Sequence, residues 1–416
     1  MIRGSLKKIK ANDVIEKALV LSLALLIVII PYSKKVVKPY FCAGLFLWLL
    51  LNILRHGKGF YRHLIIKNPI NKPLVVFFGV SIIATIFSLD PHHSQGILFE
   101  RFLPYFILFW ISAGLVVKPD RKDISRFILA KDNLYILIGA FMLSGLIFGL
   151  GGFWDYITLF PKRLFTVFGK KISYSMFPIY LVYFTPFNLI FFVFSKHRLK
   201  RLALLNVTLL FPCFIWSVSR SAWIAIVTST SLLLLSFKKA RKIFLVAMLI
   251  SIGLFLAATP YTQNRALSAF DPHEWAYRPK LFQAAVNIFI NYPLFGAGLG
   301  MYEKLFPIFK PPFDYPLGFE RLHAHNTYLE ILSEMSVWGL AAFIWIFVSF
   351  FTSLLKVLRQ HRESDSAVLL SLASTVAAVL ILAFVSSLIT IGTQAAPLFW
   401  ILFGIASALT LNPDAS

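Results

Sequence analysis

Arg220 and a pair of histidines near residue 325 are the side chains in this sequence best suited to chemistry. Arg220 lies in Ser217-Val-Ser-Arg220-Ser-Ala-Trp223, where two apolar runs meet with almost no loop between them. An ionisable group at or inside a membrane boundary is costly and by default marks a functional site. A guanidinium cannot lose its proton, and its planar fork matches phosphate oxygens. The plainer alternative is a structural ion pair with an acid such as Glu330 or Asp314. His323 and His325 stand in Glu320-Arg321-Leu-His323-Ala-His325-Asn326-Thr327-Tyr-Leu-Glu330, where the chain re-enters an apolar run. Thr327 and Glu330 have the spacing of a capping box, which makes Thr327 the expected N-cap. His325 and Asn326 then precede a helix N-terminus, whose positive end favours a bound anion and disfavours imidazolium. A neutral imidazole there can accept a proton. An exposed loop histidine is the plain alternative, and a His-x-His metal pair lacks a third ligand at convincing spacing.

A second arginine opens a helix. Residues 276–291 carry Phe282, Ala285, Val286 and Phe289 at helical spacing, with Pro279 in the first turn, Arg278 at the start and Tyr292-Pro293 as the stop. The spacing predicts an amphipathic helix at a membrane interface. Gly296-Ala-Gly298-Leu-Gly300 follows it. No strand precedes these glycines, so they read as a tight turn and not as a phosphate loop.

The elements that must position these residues are membrane helices. Of 416 residues, 58% are hydrophobic and 14% charged, which no soluble fold can hide. The net charge of +23 does not point to nucleic acid, because Lys and Arg sit in short loops between apolar runs. Cys42 and Cys213 lie inside apolar segments and read as buried hydrophobes. The first run has a basic flank but no small-residue cleavage site after it, so it reads as a retained span. Apolar runs at 14–31, 36–54, 73–89, 97–117, 133–151, 173–194, 201–217, 221–237, 242–258, 327–355, 366–389 and 393–411 are long enough to cross a bilayer. The fold class expected is an all-α polytopic membrane protein of about twelve transmembrane helices. Spans 1–9 occupy residues 1–258, a long helix-containing loop 259–325, and spans 10–12 residues 326–416.

With the N-terminus inside, the inner segments hold 26 of the 41 basic residues, which favours both termini in the cytoplasm and the long loop outside. Of the remaining 15 basic residues, eleven cluster on the outer side: Lys162, Arg163, Lys170 and Lys171, then Arg220, then Arg265, Arg278, Lys280, Lys304, Lys310 and Arg321. A cationic outer face fits an anionic ligand. Taken singly, most of these cations read as snorkelling side chains on lipid headgroups.

The order of motifs resembles the O-antigen ligase and polymerase superfamily of bacterial inner-membrane glycosyltransferases. Lys162-Arg163-Leu-Phe-Thr-Val-Phe-Gly169 is similar to its arginine-containing outer turn, and Ser219-Arg220-Ser-Ala-Trp223 to its membrane arginine motif. Arg278 with Asn291-Tyr-Pro293-Leu-Phe-Gly296-Ala-Gly298-Leu-Gly300 is similar to its outer loop. His323-Ala-His325-Asn326-Thr-Tyr-Leu-Glu330 is similar to its histidine motif. The resemblance implies a donor glycan on undecaprenyl diphosphate and a lipid A-core acceptor at the periplasmic face. It implies that Arg220, Arg278 and Arg163 hold the diphosphate, and that no cofactor or metal is needed. His325, or alternatively His323, takes the proton, with Asn326 and Arg321 in support. One large outer loop and a short C-terminus favour the ligase over the polymerase or a protein O-oligosaccharyltransferase. A transporter of an anionic lipid or solute is the alternative from another class, but its usual paired halves are not visible here.

Overall fold

The structure is a computed structural model and describes residues 2–33, 37–57, 68–119, 127–159, 166–167, 170–171, 176–217, 219–237, 241–242, 264, 278–312, 323–360, 366–388 and 395–411. The expected ninth span, Arg163 and Arg321 lie outside the described residues.

The apolar runs form helices because only internal backbone pairing satisfies N–H and C=O groups in hydrocarbon. They are α1 (Ile2–Ile29), α2 (Val37–His56), α3 (Asn71–Ile86), α4 (Pro91–Ile97), α5 (Leu103–Val116), α6 (Lys131–Leu159), α7 (Met176–Phe194), α8 (Lys200–Trp216) and α9 (Arg220–Ser236). After these come α10 (Arg278–Asn291), α11 (Met301–Phe309), α12 (Thr327–Gln360), α13 (Ala367–Leu382) and α14 (Ala396–Leu409). Among the described residues five helices are long and apolar enough to cross a membrane: Val37–Arg55, Pro91–Val116, Lys131–Asp155, Met176–Phe194 and Thr327–Gln360. Asn71–Ile86, Arg220–Leu235, Ala367–Leu382 and Ala396–Leu409 are shorter apolar helices. A π turn at Leu98–Phe102 joins α4 to α5 just before Pro104, which has no N–H to continue the helical ladder.

The described architecture is helical, as expected, apart from short connections. Two short antiparallel hairpins occur among the described residues, Val117–Pro119 with Phe127–Leu129 and Thr166–Val167 with Lys170–Lys171. They sit in polar connections outside the helical runs.

The core gathers on α7 and α14, whose side chains are buried almost all round. α7 packs against α8, α9 and α13, and α14 against α5. A methyl at Gly404 would overlap Ser112 and the Phe109 carbonyl, so the missing side chain lets α5 and α14 approach closely. Phe403 meets Phe347 and Phe350 there, each with centroids 5.3 Å apart.

Polar contacts define the two ends of the bundle. At one end buried Glu16 of α1 pairs with Arg55 from the C-terminus of α2 and accepts from Asn133 Nδ2 of α6 at 2.6 Å. At the other, the turn after α3 meets a small second core built from α10, α11 and the start of α12: Leu281, Ala284, Ala285, Ile288, Met301, Tyr302 and Phe306. The buried face of α10 is therefore Leu281, Ala284, Ala285 and Ile288. The sequence stripe lay one residue away, and Val286 is exposed.

Candidate active site at the broken helix

α12 is not one straight helix. Ser336 leaves the helical region with φ 60° and ψ −171°, splitting it after Met335. The cause is the glycine turn that follows α10. Ala297 N–H donates to the Ser333 carbonyl at 3.0 Å, and Gly298 N–H to the Glu334 carbonyl at 3.1 Å. Those two carbonyls would otherwise accept from residues one turn ahead in the same helix. Ser336 Oγ also donates to the Pro293 carbonyl.

The turn is held from its other side as well. Leu89 N–H donates to the Ala297 carbonyl at 3.1 Å, and Ser94 Oγ to the Leu299 carbonyl at 2.9 Å. Gly296, Gly298 and Gly300 all have positive φ. A methyl at Gly296 would overlap the Glu334 backbone, and one at Gly298 would overlap Ser88. The glycines thus form a tight turn, with the amides of Ala297 and Gly298 already engaged. Lys304 adds an ion pair to Asp90 at 2.7 Å. That hydrogen bond, and then the one from His93 N–H, hold the Asp90 carboxyl below its ordinary value.

This docking positions the first segment of α12 and the histidines before it. The N-cap is Asn326 and not Thr327. Asn326 Oδ1 accepts from the N–H groups of Tyr328 and Leu329, each at 3.0 Å. Thr327 instead joins α12 to the end of α13: its N–H donates to the Ala383 carbonyl at 2.8 Å and its Oγ1 to the Ser386 carbonyl at 2.9 Å. Nor does Glu330 fold back on the helix start as a capping box requires. Its Oε1 lies 3.2 Å from His323 Nδ1, which also displaces the expectation that Glu330 balances Arg220. Asp314 lies outside the described residues.

His325 sits one residue before that cap with φ 49°, a left-handed conformation unusual for a side-chain-bearing residue. Such strain persists only where the surroundings enforce it, and it concentrates at functional sites. Burial, then the positive charge of Arg278, holds the His325 imidazole below its ordinary value, with Glu330 acting in the opposite sense. Among the described residues its ring makes no hydrogen bond. His325 thus stands just before a helix N-terminus, with its imidazole biased towards the neutral form.

His323 is biased the other way. The hydrogen bond to Glu330 raises it, burial opposes, and the charges of Glu330, Glu303 and Glu334 add to the rise. Its side chain is 42% exposed, while Glu330 is fully buried. Glu334 lies one turn further on, also buried, and its Oε1 accepts from Tyr302 N–H at 3.1 Å. Nothing in the sequence distinguished this buried carboxylate from the other acids of a polar helix start.

Arg220 is the first residue of α9. Its level in the bundle follows from the packing of α9 against α13. Leu234 near the end of α9 shares a small core with Ala367 and Leu370 at the start of α13, so the two helices run antiparallel. Arg220 stands about 21 Å back along α9, at 1.5 Å per residue. The same climb along α13 ends beside Ala383, the carbonyl that receives Thr327 N–H. Arg220 and the histidine segment thus occupy the same end of the bundle, on neighbours of α13. Ser217 Oγ and Trp223 Nε1 both donate to the Phe214 carbonyl, at 2.8 and 2.7 Å, and brace the α8–α9 corner.

A comparison with curated proteins returned no match. Residues 205–344, about a third of the chain, match the O-antigen ligase family. The matched stretch holds Arg220, Arg278, His323, His325, Asn326, Glu330 and Glu334, and leaves Arg163 outside. Residues 205–344 are thus similar to the O-antigen ligase family, in a chain with five helices among the described residues that are long and apolar enough to cross a membrane.

Proposed function

We propose that the protein is an O-antigen ligase, transferring a glycan from undecaprenyl diphosphate to a hydroxyl of lipid A-core. The observation that supports this reading is the match of residues 205–344 to the O-antigen ligase family, with His325 inside that stretch, in a left-handed backbone just before the N-terminus of α12. The acceptor hydroxyl gives its proton to His325 as its oxygen bonds to the anomeric carbon. The bond from that carbon to the diphosphate breaks in the same displacement, which inverts the configuration. Negative charge grows on the departing diphosphate, and guanidinium groups aimed at it stabilise the transition state. Arg278 and Arg220 fill this role, with Arg163 as the third. These cations take the place of a divalent ion, so the reaction is metal-independent. Asn326 holds the helix start, and Arg321 adds positive charge. The site faces the periplasm, with both termini in the cytoplasm, and both substrates enter sideways from the bilayer.

The test is complementation of a Gram-negative strain lacking its ligase. The wild-type gene is expected to restore smooth lipopolysaccharide, and His325→Ala to leave it rough. Smooth lipopolysaccharide from the variant removes His325 as the base. A wild-type gene that lengthens O-units without attaching them to lipid A-core assigns the chain to polymerisation instead.

A further inference from the structure

Glu330 is a fully buried carboxylate that the reaction as written does not use. Its Oε1 lies 3.2 Å from His323 Nδ1, and its Oε2 has no hydrogen-bond partner among the described residues. A buried carboxyl oxygen without a donor is costly, and needs a reason to be retained. The ring above it is half-exposed, and a bond at Nδ1 leaves the opposite nitrogen, Nε2, for another partner.

We propose that Glu330 is a positioning residue: seated beneath His323, it fixes that ring as a cationic Nε2–H donor to a phosphate oxygen of the bound substrate, and leaves proton acceptance to His325. This rests on the ligase reading of the same site. The two histidines are separated by one residue yet lie in opposite electrostatic surroundings. His323 faces Glu330 and Glu334 from α12 and Glu303 from α11, with His325 as its cationic neighbour when protonated. On His325, burial and then the positive charge of Arg278 from α10 act in the opposite direction. Where surroundings push two titratable groups apart, one is kept as the base and the other as the charged donor. An imidazolium held by a buried carboxylate is preorganised to meet an anion, and a charged hydrogen bond to phosphate is among the stronger ones.

The experiment uses the full chain in nanodiscs, with an undecaprenyl-diphosphate-linked oligosaccharide as donor and lipid A-core as acceptor. Initial rates are measured from pH 5 to 9 for wild type, Glu330→Gln and His323→Gln. In the wild type, KM for the substrate whose phosphate His323 binds is expected to rise as pH climbs and the ring loses its proton. Glu330→Gln keeps an acceptor at Nδ1 but removes the charge, so that rise is expected to begin at lower pH. His323→Gln is expected to raise the same KM about tenfold or more at pH 7 and to flatten its pH dependence. In both variants kcat under saturating substrate keeps its acid limb, which belongs to His325. A shift confined to the donor's KM identifies the diphosphate as the partner, and one confined to the acceptor's identifies a core phosphate. Unmoved KM profiles in His323→Gln, a variant that leaves Glu330 in place, overturn the proposal. Full activity in His325→Ala is a separate result that overturns the ligase base assignment.

Discussion

Replacing Gly298 by alanine tests how the glycine turn shapes the site. Gly298 has φ 107°, where a side-chain-bearing residue is strained by about 1–3 kcal/mol. The new methyl would overlap Ser88 Oγ and Cβ and lie 2.9 Å from Ser94 Oγ. Rotating Ser88 moves its hydroxyl but not its Cβ, so the turn itself must shift. That stretches the bonds from Gly298 N–H to Glu334 and from Ser94 Oγ to Leu299, at 3.1 and 2.9 Å. Each is worth about 1 kcal/mol. The expected loss is therefore about 3–5 kcal/mol, and the Glu334 carbonyl is set free to rejoin a straight α12. Unfolding of the purified protein in mixed micelles measures the loss, and donor-to-acceptor transfer measures the displaced histidines. Adding Ser88→Gly removes the overlap but not the backbone strain, so it is expected to recover about half. The reasoning is refuted if Gly298→Ala lies within about 0.5 kcal/mol of wild type, or if Ser88→Gly recovers none of the loss.

Three further outcomes follow from the same geometry. Arg278→Gln removes the cation that holds His325 down, so the acid limb of transfer, where rate falls as His325 gains its proton, is expected to move to higher pH; rate–pH profiles of the two proteins decide it. Asn326→Ala leaves the N–H groups of Tyr328 and Leu329 without their shared acceptor and is expected to cost about 1 kcal/mol, read from micelle unfolding. The His323–Glu330 pair raises His323 in the folded state, so its contribution is complete below pH about 6.5 and is lost as pH rises through the raised value. Glu330→Gln is therefore expected to lower stability most in mildly acidic solution and least above pH 9, measured as unfolding midpoints across pH.

The sequence made the helices legible because lipid allows so few backbone arrangements; each expected span with described residues coincides with a helix or a helical pair. What it concealed were features imposed from a distance. The break at Ser336 follows from amides at Ala297 and Gly298 that take carbonyls out of α12, and no local signal marks it. The cap moved from Thr327 to Asn326 because both residues can cap, and Thr327 has partners on the stretch after α13. The buried face of α10 lay one residue from the stripe read in the sequence, since Phe282 and Ala285 are also compatible with the neighbouring register. His325 and Arg278 stand out in the sequence by residue type and position, whereas the left-handed backbone at His325 is not legible there. Glu330 was noted only as a capping residue or a partner for Arg220, because burial beneath His323 depends on how residues 278–309 fold over it.

The most direct measurement is a single turnover in chelator-treated nanodiscs holding the purified full chain, with donor prebound and lipid A-core added. The wild type is expected to form the glycosylated lipid without added divalent ion, and His325→Ala to do so about 10²- to 10⁴-fold more slowly. An unchanged single-turnover rate in the variant, or a wild-type rate that returns only with divalent metal, contradicts transfer by a histidine base and arginine-held diphosphate.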